Sequence, residues 1–70
     1  MKFTRDSLGN YYSEDRRFKI ERMSGVWFVT DLQEKEEWYR LNRLVGYKDK
    51  FLGYGNTLKE AKELCLKQNA

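Results

Sequence analysis

Residues Phe18 to Leu32 read FKIERMSGVWFVTDL. Two runs rich in β-branched and aromatic residues meet at Ser24-Gly25, the pattern of a β-hairpin with a two-residue loop. Such a loop sets the register. Met23 then faces Val26, Arg22 faces Trp27, Ile20 faces Val29, and Phe18 faces Asp31. Because side chains alternate between faces, Phe18, Ile20, Trp27 and Val29 share an apolar face. Lys19, Glu21, Met23, Val26, Phe28 and Thr30 share the other. A slip of one residue would mix the two sets, so the pattern supports this register.

An apolar sheet face needs a cover, and the C-terminal segment supplies one. Thr57 and Glu60 have the T-x-x-E spacing of a capping box. Leu58, Ala61 and Cys65 then form the centre of an apolar stripe at helical spacing, flanked by Leu64 and Leu66. Lys59, Lys62 and Lys67 decorate that helix. Before it, Tyr47 to Tyr54 reads as a short strand with Phe51 as its core residue, and Gly53 and Gly55 loosen the backbone. The fold class expected is α+β: a small antiparallel β-sheet of about three strands, including the hairpin Phe18–Leu32, packed on a C-terminal α-helix. Residues 1–70 form a single domain in this reading.

The segment from Asp31 to Gly46 carries two signals. As a helix, Asp31 and Glu34 have capping-box spacing, and Glu34, Glu36 and Glu37 precede Arg40 and Arg43 in the order the helix dipole prefers. Trp38, Leu41, Leu44 and Val45 fall at helical spacing, with Gly46 where a C-terminal cap belongs. The expectation is a second helix around Glu34–Val45. Its rival is a third meander strand from Trp38, with Gln33 to Glu37 as the loop. Towards the N-terminus, Phe3 marks an edge strand or a frayed end, Gly9-Asn10 a turn, and Glu14 to Arg17 a solvated turn into the hairpin.

Seventy residues bury a small share of their surface, so the two Trp, five Tyr and four Phe must supply much of the core. One cysteine excludes an intrachain disulfide, and with it a disulfide-stapled secreted scaffold. No apolar run is long enough to span a membrane and no signal-peptide pattern opens the chain, so a cytoplasmic address without membrane contact is expected. The chain has no histidine, which removes the commonest general base and metal ligand. A single cysteine cannot build a zinc site, and Cys65 reads as a small core hydrophobe. Glu60 and Lys62 have the E-x-K spacing of some metal-dependent nucleases, but helical neighbours two apart point away from each other. Glu34, Glu36 and Glu37 read as a solvated helix start rather than a cation site. No phosphate-cradling glycine loop is present. The expectation is a protein without enzymatic activity, cofactor or metal.

The remaining signal is basic residues among aromatics. Net charge is +3, which permits an acidic partner. Arg16, Arg17, Lys19 and Arg22 cluster on and before the first hairpin strand, Lys48 and Lys50 flank Asp49, and Lys59 and Lys62 lie on the last helix. At such places Lys and Arg neutralise phosphates without reading sequence. Residues Gly53 to Lys62, GYGNTLKEAK, resemble the strand-to-helix junction of double-stranded RNA-binding domains. Lys59, Ala61 and Lys62 match that junction, Leu58 stands where the family has its first lysine, and the family's opening helix has no counterpart. The expected architecture is also similar to the arm-type DNA-binding domains of phage and transposon integrases, which lay a three-stranded sheet in the major groove. The first functional expectation is therefore a nucleic-acid-binding module. The alternative is a small protein-binding adaptor or inhibitor of the kind mobile elements carry, using Met23, Val26 and Phe28. A weak homodimer belongs to that alternative.

Overall fold

A computed structural model describes residues 1–68. Five strands run in the order β1 (Phe3–Arg5), β2 (Tyr11–Ser13), β3 (Phe18–Met23), β4 (Val26–Arg40) and β5 (Arg43–Gly55), followed by helix α1 (Leu58–Gln68). The strands form one antiparallel meander in chain order. The sheet thus has five strands where about three were expected. The two extra ones are the short N-terminal strands, which pair Phe3 with Ser13 and Tyr11 with Ile20.

The central hairpin has the register the sequence implies, from Met23 opposite Val26 to Phe18 opposite Asp31. Ser24 and Gly25 both take positive φ, 52° and 81°, as the tight turn of a right-twisted hairpin requires. Phe18, Ile20 and Val29 are fully buried and meet Ala61 and Cys65 of α1. Phe3, Tyr11, Trp27, Leu52, Leu58 and Leu64 close the rim of this core. Trp27 stays half-buried, with the edge of its ring against Tyr11 at 5.9 Å between centroids. On one side of it the Arg22 guanidinium lies 5.6 Å from the ring centre.

The helix starts where its cap predicts. The Glu60 N–H donates to Thr57 Oγ1 at 3.2 Å, and the Glu60 carboxylate accepts the Asn56 N–H at 2.7 Å. The returning acid thus satisfies the residue before the cap rather than the cap itself. Gly55 is buried beneath this first turn, and a Cβ there would lie 2.7 Å from both Ala61 N and Glu60 Cβ. Glycine is needed here because the helix backbone seats directly on the strand end.

The expected helix at Glu34–Val45 is replaced by strand. β4 and β5 form a hairpin whose outer part, Lys35–Arg40 against Arg43–Asp49, carries no third strand. Its turn is Leu41-Asn42, both at positive φ (52° and 62°). Cross-strand pairs outweigh the helical spacing. Lys35 pairs with Asp49, Lys48 Nζ lies 3.5 Å from Glu36 Oε1, and Trp38 stands opposite Gly46. Gly46 is therefore a strand residue and not a helix cap. The chain is elongated in consequence: its radius of gyration is 12.8 Å, against roughly 11 Å for a compact domain of this length.

β5 is correspondingly longer than the short strand expected, and its core residue is not Phe51. A bulge opposes Val29 to Gly53 and Thr30 to Phe51, which leaves Leu52 as the extra residue. Leu52 turns to the core and Phe51 to the open face, where it is exposed.

A second, wider bulge bends β4. Asp31 opposes Lys50 while Lys35 opposes Asp49, so Leu32, Gln33 and Glu34 have no partners on β5. Asp31, 1% exposed, holds this bend. Its Oδ1 accepts the Gln33 N–H at 3.0 Å, and its Oδ2 accepts Arg17 Nε at 3.2 Å and a terminal guanidinium nitrogen at 3.1 Å. Nearby, the buried Ser13 hydroxyl donates to Asp15 at 2.7 Å and accepts the Phe18 N–H at 2.9 Å. The turn from β2 into β3 is locked to the core by these bonds.

Two expected outcomes follow from this packing. Gly55→Ala forces the first helical turn off the sheet and should cost about 1–3 kcal/mol, the usual range for overpacking. A urea titration reads this as a lowered midpoint. Arg17→Ala leaves the Asp31 carboxylate buried without its ion partner. The loss should lie near the lower end of the roughly 3–5 kcal/mol range for broken buried pairs, because Arg17 is itself a quarter exposed. An unchanged midpoint for Arg17→Ala would mean that the pair does not hold the bend.

Candidate functional site

The sheet has one face under α1 and one face open. Strand alternation places Thr4, Tyr12, Lys19, Glu21, Phe28, Thr30 and Tyr54 on the open face, and the bulge adds Phe51. Phe28 is the centre of an aromatic group there. Its ring lies 5.7 Å from Phe51 and 6.1 Å from Tyr54, both tilted. Phe28 is half-buried by these neighbours, while Phe51, Tyr54 and Met23 are exposed. Met23, Val26 and Phe28 are therefore on one side, as the hairpin register implies, and the rings of β5 are what cover Phe28.

The eight basic residues singled out from the sequence do not gather on one face. Arg17 is committed to Asp31 and lies 4.8 Å from the Phe18 ring. Arg22 sits over Trp27, and Lys62 reaches from α1 over Phe3 and Tyr11 at 5.4 and 5.7 Å. Arg22 and Lys62 cover the aromatic rim of the core, and Arg17 lies against the buried Phe18. On the open face, Arg16 lies 5.4 Å from the Tyr12 ring and Lys19 pairs with Glu21 at 3.6 Å. Lys48 is paired with Glu36 on the outer hairpin, Lys50 is exposed opposite Asp31, and Lys59 is exposed on α1.

The outer hairpin, called the arm below, brings together residues that sequence reasoning assigned to a helix. Its last ten residues, Trp38 to Tyr47, read WYRLNRLVGY and contain two arginines and no acid. Trp38, Tyr39, Leu41, Leu44, Val45 and Tyr47 are all exposed. Glu36 and Asp49 at the root are matched to Lys48 and Lys35, and Glu37 stands opposite Tyr47 where the tip begins. Glu37 accepts the Tyr39 hydroxyl, and that bond raises the Tyr39 phenol above its ordinary range.

Two features of the tip are unfavourable within the isolated chain. Arg40 stands directly opposite Arg43, and like charges in facing positions destabilise a strand pair. Leu41 takes a left-handed conformation that costs a residue with a Cβ about 1–2 kcal/mol. It is also 89% exposed, so no packing offsets that cost. Asn42 beside it is the residue type such turns prefer. The sequence signal for the tip was this Leu41-Asn42 pair between two runs of β-formers, obscured by the helical spacing around it.

Cys65 lies in the core beneath the sheet. Burial pushes its thiol up to about 11, and the charge of Asp31 adds to this. Among the described residues, no group of three or more Cys, Asp or Glu side chains is placed to hold a metal ion. Comparison with known protein families, with curated proteins and with solved structures finds no match for this chain.

The Cys65 environment has a measurable result. The thiol should resist alkylation by iodoacetamide at pH 8 in the native protein and react once urea unfolds it. Its folded value is raised, so the unfolded chain gives up its proton first. Stability should therefore fall as pH rises from the ordinary thiol value of 9.0 towards about 11. Rapid labelling of the native protein would place Cys65 outside the core.

Proposed function

We propose that this protein is a non-enzymatic nucleic-acid-binding module whose principal contact is the arm. The observation that supports this reading most is the acid-free tip, where Arg40 and Arg43 stand opposite each other among exposed aromatic and apolar side chains. A phosphate backbone relieves the repulsion between the two guanidiniums and accepts their hydrogen bonds. Trp38, Tyr39 and Tyr47 add flat apolar surface of the kind on which bases stack. Lys50, at the root of the arm, extends the positive strip towards the sheet, and the exposed Lys59 on the helix adds charge. Arg16 and Lys19 on the open face contribute more weakly, because each is already engaged within the chain.

A second reading has its own support. Phe28, Phe51, Tyr54 and Met23 form an apolar patch on the open face, and such a patch suits a protein partner or a second copy of this chain. Trp, Tyr and Arg, the residues of the arm tip, also suit the centre of a protein interface. The nucleic-acid reading ranks first because two facing arginines without an acid call for an anionic partner.

A salt titration separates the readings. Wild-type protein should bind duplex or single-stranded oligonucleotides at low ionic strength, with log affinity falling linearly against log salt. The double variant Arg40→Ala, Arg43→Ala should bind less tightly and flatten that slope by roughly two. Absence of binding at low salt would end the nucleic-acid reading. Unchanged binding by the double variant would move the contact away from the arm.

A further inference from the structure

We infer that Leu41 is a wedge: the arm enters the minor groove of duplex DNA and seats this leucine between two base pairs, kinking the helix. The inference rests on the nucleic-acid reading of the arm and specifies the duplex and the mode.

The argument starts from what the tip lacks. A two-residue turn at positive φ is best served by Asn, Asp or Gly. Position 42 obeys this rule and position 41 does not. A leucine there is strained, and it stands 89% exposed at the far end of the ribbon. Packing against the described residues covers little of it, so the compensating contact is assigned to a partner. The adjacent residues restrict what that outside surface is. Arg40 and Arg43 immediately flank the turn, and the nearest acids are Glu37 and Asp49. A ligand that fits therefore presents negative charge on both sides of an apolar slot. Duplex DNA has that arrangement, with two phosphate strands bordering stacked bases.

The arm is long enough to enter. From Lys35 to Leu41 it extends six residues, about 20 Å at strand rise. The minor groove of B-form DNA is about 7.5 Å deep and about 6 Å wide, so the tip reaches its floor while the root stays outside, and the groove has to widen to take the two strands, a deformation that goes with the kink. Two-stranded ribbons are a known form of groove reader, and minor-groove proteins commonly insert Leu, Ile, Met, Phe or Pro between base steps. Insertion separates the stacked pairs and bends the duplex away from the protein. Flexible pyrimidine–purine steps such as TA and CA offer the least resistance. The minor groove of A-form RNA is shallow, which gives the projecting tip no depth to enter.

The test uses the full chain and a 30-base-pair duplex with a central TA step, carrying a donor and an acceptor dye at its two ends. Leu41→Asn is the informative variant, because asparagine suits the turn and should leave the fold intact or raise its melting temperature. Wild-type protein should bring the dyes closer, by a bend within the range of about 20–90° seen for wedge-inserting proteins. Leu41→Asn should still bind, with the same dependence on salt, and leave the duplex as straight as free DNA. Equal bending by both proteins, or binding by wild type without any bend, would overturn the wedge and leave nucleic-acid binding standing. Preference for single strands over the duplex would overturn the wedge in the same way. Absence of binding to any of these oligonucleotides would overturn both readings. Sedimentation of the same samples adds one more arm. Self-association of the wild type that Leu41→Asn abolishes would reassign the tip to protein contact.

Discussion

Asp31 is the constraint on which the rest of the architecture depends. It stands where β4 leaves the core, faces Phe18 on one side and Lys50 on the other, and has almost no access to water. A carboxylate in that position is tolerable only if its oxygens are occupied. Arg17 occupies one oxygen and the Gln33 N–H the other. The two partners tie the turn before β3 to the bulge of β4, alongside the backbone bond in which the Leu32 N–H donates to the Arg17 carbonyl at 2.6 Å. Arg17 belongs to the turn that brings β2 against β3, and Gln33 belongs to the bulge that redirects β4. A single buried charge thus joins the compact sheet to the root of the arm.

On the core side of that junction the molecule is economical. Phe18, Ile20, Val29, Ala61 and Cys65 are fully buried, and a rim of partly buried aromatic and leucine side chains surrounds them. Cations lie against its aromatic rings: Arg22 over Trp27 and Lys62 over Phe3 and Tyr11 at the rim, and Arg17 against the buried Phe18. A domain of this size has too few apolar residues to seal every edge, so long basic side chains cover aromatic faces with their stems and keep their charge in water. This gives several of the basic residues a structural role, and it explains why they are spread around the helix side instead of forming one patch.

Beyond the junction the balance changes. The arm has ion pairs at its root and no acid among Trp38 to Tyr47, and its apolar residues are about half exposed or more. A two-stranded ribbon of this kind is marginal by itself in water. It holds its shape because its base continues the strands of a packed sheet. The same arrangement leaves the side chains of the tip exposed.

Local information in the chain determined the central hairpin, its register and the C-terminal helix. Alternation over Phe18 to Val29 admits one register with a clean apolar face, and Thr57 with Glu60 marks a helix start that depends on neighbours three residues apart. The apolar face of Phe18, Ile20 and Val29 and the stripe of Ala61 and Cys65 were legible for the same reason. The arm was not. Glu34 to Val45 has helix-forming residues at helical spacing, and the decision for strand lies in its pairing with Arg43 to Asp49 and in continuity with a sheet already built. The choice between Phe51 and Leu52 as the inward residue was likewise made by a bulge, which shifts the alternation by one position. Candidate residues followed the same division. Met23, Val26 and Phe28 were placed on one face by local alternation. Arg40, Leu41 and Arg43 came to a projecting tip only through long-range strand pairing, because what a helix would have spread around its surface a hairpin collects at its turn.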